Sequence, residues 1–141
     1  MKERVRAVLV TPARTMLAIR RTVPGRGVYH VLVGGGVEDG DPTPEAALHR
    51  EIHEEIAGEA RIVRLLGTLT DTERDEVQHI YLAEARAWSF DDRTGPEFAR
   101  TDRGTYELAE VPFTPQALAA LGLQPPTAVP LIENAMAEQT V

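Results

Sequence analysis

The chain has 141 residues, 43% of them hydrophobic and 26% charged, the composition of an ordinary globular protein rather than a disordered one. It contains no cysteine, which excludes disulfides, thiolate metal sites and a cysteine nucleophile and fits a reducing, cytoplasmic setting. With 15 Lys and Arg against 22 Asp and Glu, the formal net charge is −7; such a surface repels long polyanions and argues against binding to long nucleic acid or to a membrane.

The length predicts a single domain over residues 1–141, large enough to bury a core unaided. Apolar runs are short, as in Ala7-Val8-Leu9-Val10, so no spanning helix of ~20 apolar residues is expected. Met1-Lys2-Glu3-Arg4 is not followed by an apolar stretch of signal-peptide type, so no secretory signal is expected.

In chain order, residues 5–10 are apolar on both faces, as in a buried strand. A second strand is expected over 17–19 and ends near Arg20 and Arg21, followed by a loop over 22–27 with Pro24, Gly25 and Gly27. A third strand, 28–33, is β-branched and ends at Gly34-Gly35-Gly36. An acidic loop, 38–41, leads to Thr43, a good N-cap, and Pro44, suited to the first helical position. The helix runs to about Ala57, with Gly58 as its C-terminal stop.

Residues 62–69 and 77–88 read as two longer strands around a polar turn, 71–76. A charged loop spans 91–104, a strand is expected over 106–111, and Thr114-Pro115 opens a short helix ending at Gly122. A linker, 124–126, precedes a last helix over 131–137. The order of strands and helices is that of an α/β protein with helices for both faces of a mixed sheet.

The chemically informative stretch is the helix after the glycines. Residues three and four apart share a helix face, so Glu51 stands beside Glu54 and Glu55. At about 100° per residue, Glu55 falls about 20° from Leu48 and Glu51 about 60° from it, which puts Glu55 at the edge of the apolar stripe. Carboxylates so placed repel one another, and burial adds a desolvation cost. Nothing basic on that face offsets this, although Arg50 has the reach to touch loop carboxylates. A hard divalent cation such as Mg²⁺ resolves the conflict; a solvated acidic face is the other reading.

Gly35, Arg50, Glu51, Ile52, Glu54 and Glu55 match the signature G-x5-E-x7-R-E-U-x-E-E-x-G-U, and on these residues the chain resembles the Nudix hydrolase family, the box covering about residues 35–58. Three positions depart from it. Asp41 stands where the family has glutamate; residues 42–49, one more than the family's seven, separate it from Arg50; and Ala57 stands at the glycine position, with Gly58 next. Upstream, His30 and Val33 occupy places where relatives often have tryptophan and proline.

The resemblance implies a Nudix-type α/β/α sandwich with a mixed β-sheet. It also implies a metal-dependent pyrophosphatase, a hydrolase that cleaves a diphosphate linkage in a nucleoside diphosphate derivative or a non-standard nucleoside triphosphate. The cofactor it implies is Mg²⁺ or Mn²⁺, held by Glu51, Glu54 and Glu55 with a backbone carbonyl near Gly35. Arg50 would orient the carboxylates. Glu97 is the candidate general base, or else a solvated loop charge, and Arg20 and Arg21 are candidate phosphate contacts. A homodimer is consistent with family habit. The alternative is a non-catalytic Nudix-fold module that binds a nucleotide.

Three further features invite other readings. His49 and His53 have the spacing of a zinc pair but lack the H-E-x-x-H order and a third ligand. Gly34 to Gly36 is neither a dinucleotide fingerprint nor a P-loop. Trp88 and Phe90 could stack on a base, but the core is their more natural place.

Overall fold

The computed structural model describes residues 1–95 and 104–139. The strands are β1 (Lys2–Val10), β2 (Thr15–Val23), β3 (Gly27–Val31), β4 (Val33–Gly36), β5 (Glu59–Asp71), β6 (Glu76–Ala87), β7 (Thr105–Pro112) and β8 (Leu123–Gln124). The helices are α1 (Pro44–Ile56), α2 (Pro115–Leu121) and α3 (Val129–Gln139). Among the described residues no helix is long and apolar enough to cross a membrane.

The eight strands form one mixed sheet in the order β5-β6-β1-β2-β3-β8, with β4 added against β1 and β7 against β2. The β1–β6 and β3–β8 pairs are parallel and the others antiparallel. Because side chains alternate across a strand, the apolar run of β1 serves both faces. Val5, Ala7 and Leu9 join a cluster with Leu48, Ile52 and Ile56 of α1. Val8 and Val10 join another with Leu118 and Leu121 of α2 and Ile132 and Met136 of α3. This is the expected α/β/α sandwich. Trp88 and Phe90 pack against the α1 cluster.

The first part of the chain differs most from its sequence reading. Residues 28–33 are not one strand, and the glycines do not end it. Around Leu32 the chain leaves β2 and crosses to β1: β3 pairs with β2 through Ile19↔Val31, while β4 pairs with β1 through Arg6↔Gly34 and Val5↔Gly35. Strand β1 therefore has β4 beside its first half and β2 beside its second, at Leu9↔Leu17. The sheet forks there. β2 is also longer than expected, so Arg20 and Arg21 lie within it, each paired with both β3 and β7.

Helix α1 begins as its sequence suggests, with the Thr43 hydroxyl accepting from the Ala46 amide at 3.1 Å. Its end is different: Ala57 takes the left-handed conformation at φ 47. Gly58 serves close packing instead, since a Cβ there would stand 2.8 Å from the Ile56 side chain. Leu48, Ile52 and Ile56 are at most 1% exposed. At about 1.5–3 kcal/mol for each such side chain, this burial anchors the helix and can carry charged groups into the interface beside it.

Candidate active site

The fork between β4 and the β2–β3 pair opens a cavity of about 550 Å³. Helix α1 contributes Glu51 and Glu55 to its wall and β4 contributes Gly34, Gly35 and Gly36. Both glutamates are only 8% exposed, so Glu55 sits at the edge of the buried stripe as its helical position requires. The Gly34 amide donates to Glu55 Oε2 at 3.2 Å. Gly35 approaches Glu51 so closely that a Cβ there would lie 2.5 Å from the carboxyl carbon. Only a residue without a side chain leaves Glu51 in place.

Arg50 organises the acidic residues. Its Nε donates to Asp41 Oδ1 at 3.0 Å and its Nη2 to Asp41 Oδ2 at 2.9 Å. Nη2 also donates to the Gly36 carbonyl at 2.9 Å, and Nη1 donates to Glu51 at 3.0 Å and to Glu54 at 3.3 Å. One guanidinium thus joins loop, strand and helix, using the fork geometry that lysine lacks. Asp41 is held well below the usual carboxylate range, chiefly by Arg50 and then by the Glu38 amide, while the Asp41 bonds push the Arg50 guanidinium upward.

Charge compensation also comes from a residue that the sequence did not single out. Arg6, on β1, lines the same cavity as Glu51 and Glu55. Burial holds its guanidinium below its ordinary value while those carboxylates push it back up, and it donates to the carbonyls of Leu32 and Gly34, each at 3.2 Å. The expectation that nothing basic offsets the glutamates is corrected: Arg50 of the helix bonds Glu51 and Glu54, and Arg6 adds a second cation from the sheet. The one sequence signal was a strand otherwise apolar at its centre that carries Arg4 and Arg6 at alternate positions.

The remaining expected residues separate. Arg21 lines the cavity, its guanidinium 3.9 Å from the Tyr106 ring centroid. Arg20, its strand neighbour, is exposed and does not line the cavity. Glu54 does not line it either; its side chain turns to Arg50, and its carbonyl accepts from the Thr94 and Gly95 amides, both at 2.9 Å. Glu97 lies outside the described residues. His49 and His53 are exposed on the outer side of α1. Five arginines line the cavity, Arg4, Arg6, Arg21, Arg26 and Arg74, against the four carboxylates Glu51, Glu55, Asp71 and Glu76. A third of the chain's 15 basic residues therefore gather at one hollow of an acidic protein.

This donor set fits a hard divalent cation. Glu51 and Glu55 offer carboxylate oxygens at a cavity wall, and the bare Gly35 gives the Glu51 carboxylate the room it occupies there. Among the described residues no three of His, Cys, Asp and Glu form a ready cage. Mg²⁺ does not need one, since it commonly takes one or two carboxylates together with waters and substrate phosphates.

The E. coli ORF135 protein is similar in structure, with a TM-score of 0.66 and 22% identity over 99% of this chain and 91% of that one. A Nudix hydrolase from Nitrosomonas europaea superimposes with a TM-score of 0.73 and 17% identity, over 97% of this chain and 89% of that one. An ADP-ribose pyrophosphatase from Streptococcus suis gives 0.66 and 16%, over 95% and 90%. At these identities the likeness is one of fold. No curated protein matches the chain significantly. The family model of the NUDIX domain matches residues 1–132, nearly the whole sequence and all of the fork and its glutamate helix, and the chain belongs to the Nudix family.

Proposed function

We propose that this Nudix-family enzyme hydrolyses a diphosphate linkage in a nucleoside diphosphate derivative or a non-standard nucleoside triphosphate, with Mg²⁺ or Mn²⁺ as cofactor. The observation that carries the proposal is the placement of Glu51 and Glu55, both buried, at a cavity walled by five arginines. The carboxylates suit a cation and the arginines suit phosphates, and a phosphoanhydride needs both. The name of the S. suis neighbour, an ADP-ribose pyrophosphatase, supports the same substrate class.

Glu51, Glu55 and the Gly35 carbonyl are the proposed metal ligands; Glu54, whose side chain bonds Arg50 outside the cavity wall, joins them by turning from that bond. A bound divalent cation supplies charge neutralisation at the phosphates and acidifies water. Arg50 holds the carboxylates in position, and Arg21 binds a phosphate oxygen from the opposite wall. Little covalent chemistry is asked of the protein beyond positioning. Glu97 is the proposed general base; a Glu97→Ala rate within a fewfold of wild type removes it from that role.

The test is product release from a panel of nucleoside triphosphates, oxidised triphosphates, ADP-ribose, nucleotide sugars and diadenosine polyphosphates, with Mg²⁺, with Mn²⁺ and with EDTA. Turnover that needs the metal and vanishes with EDTA is expected. Silence across the panel, together with a nucleotide-induced thermal shift, would replace the enzyme with a nucleotide-binding module.

A further inference from the structure

We infer that Arg6 is a positioning residue that sets the Glu55 carboxylate through the Gly34 backbone; the inference rests on the proposed hydrolase site. Gly34 has φ +153, and a Cβ there would stand 2.0 Å from the Val5 carbonyl oxygen. Only glycine can occupy this position, and glycine imposes the weakest conformational preference of its own. Yet the Gly34 amide is one of the groups that aims Glu55, through its bond to Oε2 at 3.2 Å. A soft hinge is therefore asked to hold a buried carboxylate.

Arg6 supplies the missing stiffness. Its Nη1 donates to the Gly34 carbonyl and the Leu32 carbonyl, each at 3.2 Å, on the two sides of Val33 where the chain passes from β3 to β4. Its Nε reaches Gln78 Oε1 on β6 at 3.4 Å. The peptide before Gly34 is bound to the glutamate and the peptide after it to Arg6. The three acceptors of Arg6 are neutral, so its hydrogen bonds leave the Glu55 oxygens to other partners while its charge lowers the cost of burying them. A planar guanidinium spans three separated acceptors; an ammonium is a point charge that does not.

Arg6→Lys separates geometry from charge, because it keeps the cation and loses the fork. Hydrogen exchange followed by NMR on the metal-free full chain gives a readout independent of activity. The Gly34 amide is expected to exchange at least tenfold faster in the variant, with the Ile80 amide in the sheet core unchanged. On the best substrate of the panel, kcat is expected to fall at least tenfold with KM held within about threefold. Wild-type protection at Gly34 or an unchanged kcat overturns the inference, as does a raised KM at constant kcat, which would make Arg6 a substrate contact. If Arg6→Lys does not fold, Gln78→Leu removes the Nε anchor: faster exchange at Gly34 supports the inference and unchanged exchange overturns it. Loss of the hydrolase reading itself registers separately, as absence of wild-type turnover.

Discussion

Arg50 grips Asp41 through two parallel hydrogen bonds, at 3.0 and 2.9 Å, across the turn that precedes helix α1. The same carboxylate accepts from the Glu38 amide at 2.8 Å, and the Asp41 amide donates to the Glu38 carbonyl at 2.9 Å. Asp41 thus closes the acidic turn on itself and presents it to the helix. The longer spacing before Arg50 and the shorter acid at 41 meet in one contact.

That contact predicts a specific acid sensitivity. The folded-state pKa of Asp41 is depressed, first by Arg50 and then by the Glu38 amide. A depressed carboxylate contributes stability above its unfolded pKa of about 3.9, and the contribution is lost as pH falls through the lower folded value. The Tm difference between wild type and Asp41→Asn is therefore expected to be constant above about pH 5 and to shrink as pH drops past about 4. Thermal melts across pH 3–7 check this, and a gap that widens in acid would refute it. Arg50→Lys should lower kcat/KM about 10- to 100-fold, the usual cost of disturbing the groups that orient metal ligands.

Adjacent glycines give a steric test of the site. A Cβ on Gly35 would stand 2.6 Å from each Glu51 carboxylate oxygen, whereas a Cβ on Gly36 would meet nothing within 4 Å. Gly35→Ala is expected to push Glu51 from the cavity wall and lower kcat/KM at least about tenfold. Gly36→Ala is expected to cost clearly less than Gly35→Ala, since its Cβ displaces no protein atom. Equal effects of the two substitutions would mean that the closeness of Gly35 to Glu51 has no bearing on turnover.

What the sequence made legible here was local. Helix α1 could be read from Thr43, Pro44 and the spacing of Leu48, Ile52 and Ile56, and that period alone put Glu55 at the buried edge. The fork could not be read, because Arg6↔Gly34 and Ile19↔Val31 are long-range choices of partner strand that leave no mark in the run 28–33. Arg6 was hidden for the same reason: its acceptors, Leu32, Gly34 and Gln78, come near only once β4 and β6 flank β1. The Asp41–Arg50 contact lay between, within Arg50's anticipated reach but dependent on a turn whose shape no residue pattern specified.

Strand alternation separates two arginines that sequence proximity joins. Arg21 lines the cavity against Tyr106, and Arg20 is exposed and absent from its wall. Arg21→Ala is expected to raise KM at least about tenfold, which matches the lower end of the about 1.5–3 kcal/mol for a hydrogen bond to a charged group. Arg20→Ala should leave both kinetic constants within about twofold. Steady-state kinetics on the preferred substrate decide the matter, and unchanged constants for Arg21→Ala would remove it from the phosphate site.

Glu55→Gln tests the centre of the proposal by separating activity and metal response from stability. Glutamine keeps an oxygen for the Gly34 amide, so the corner of the fork retains its hydrogen bond. It removes one of two buried negative charges spaced i,i+4 on the helix, a repulsion worth about 0.2–0.5 kcal/mol on an exposed helix. It also leaves the buried Arg6 guanidinium without one of its nearby carboxylates, so in EDTA the two effects oppose and the Tm is expected to stay within about 4 °C of wild type. Turnover should fall at least about 100-fold, because a neutral amide is a poor ligand for a hard cation. Added Mg²⁺ should raise the Tm of wild type, as any ligand of the folded state does, and leave the variant unmoved. Full activity in Glu55→Gln, or a Tm that Mg²⁺ still raises as in wild type, would remove the glutamate from the metal site.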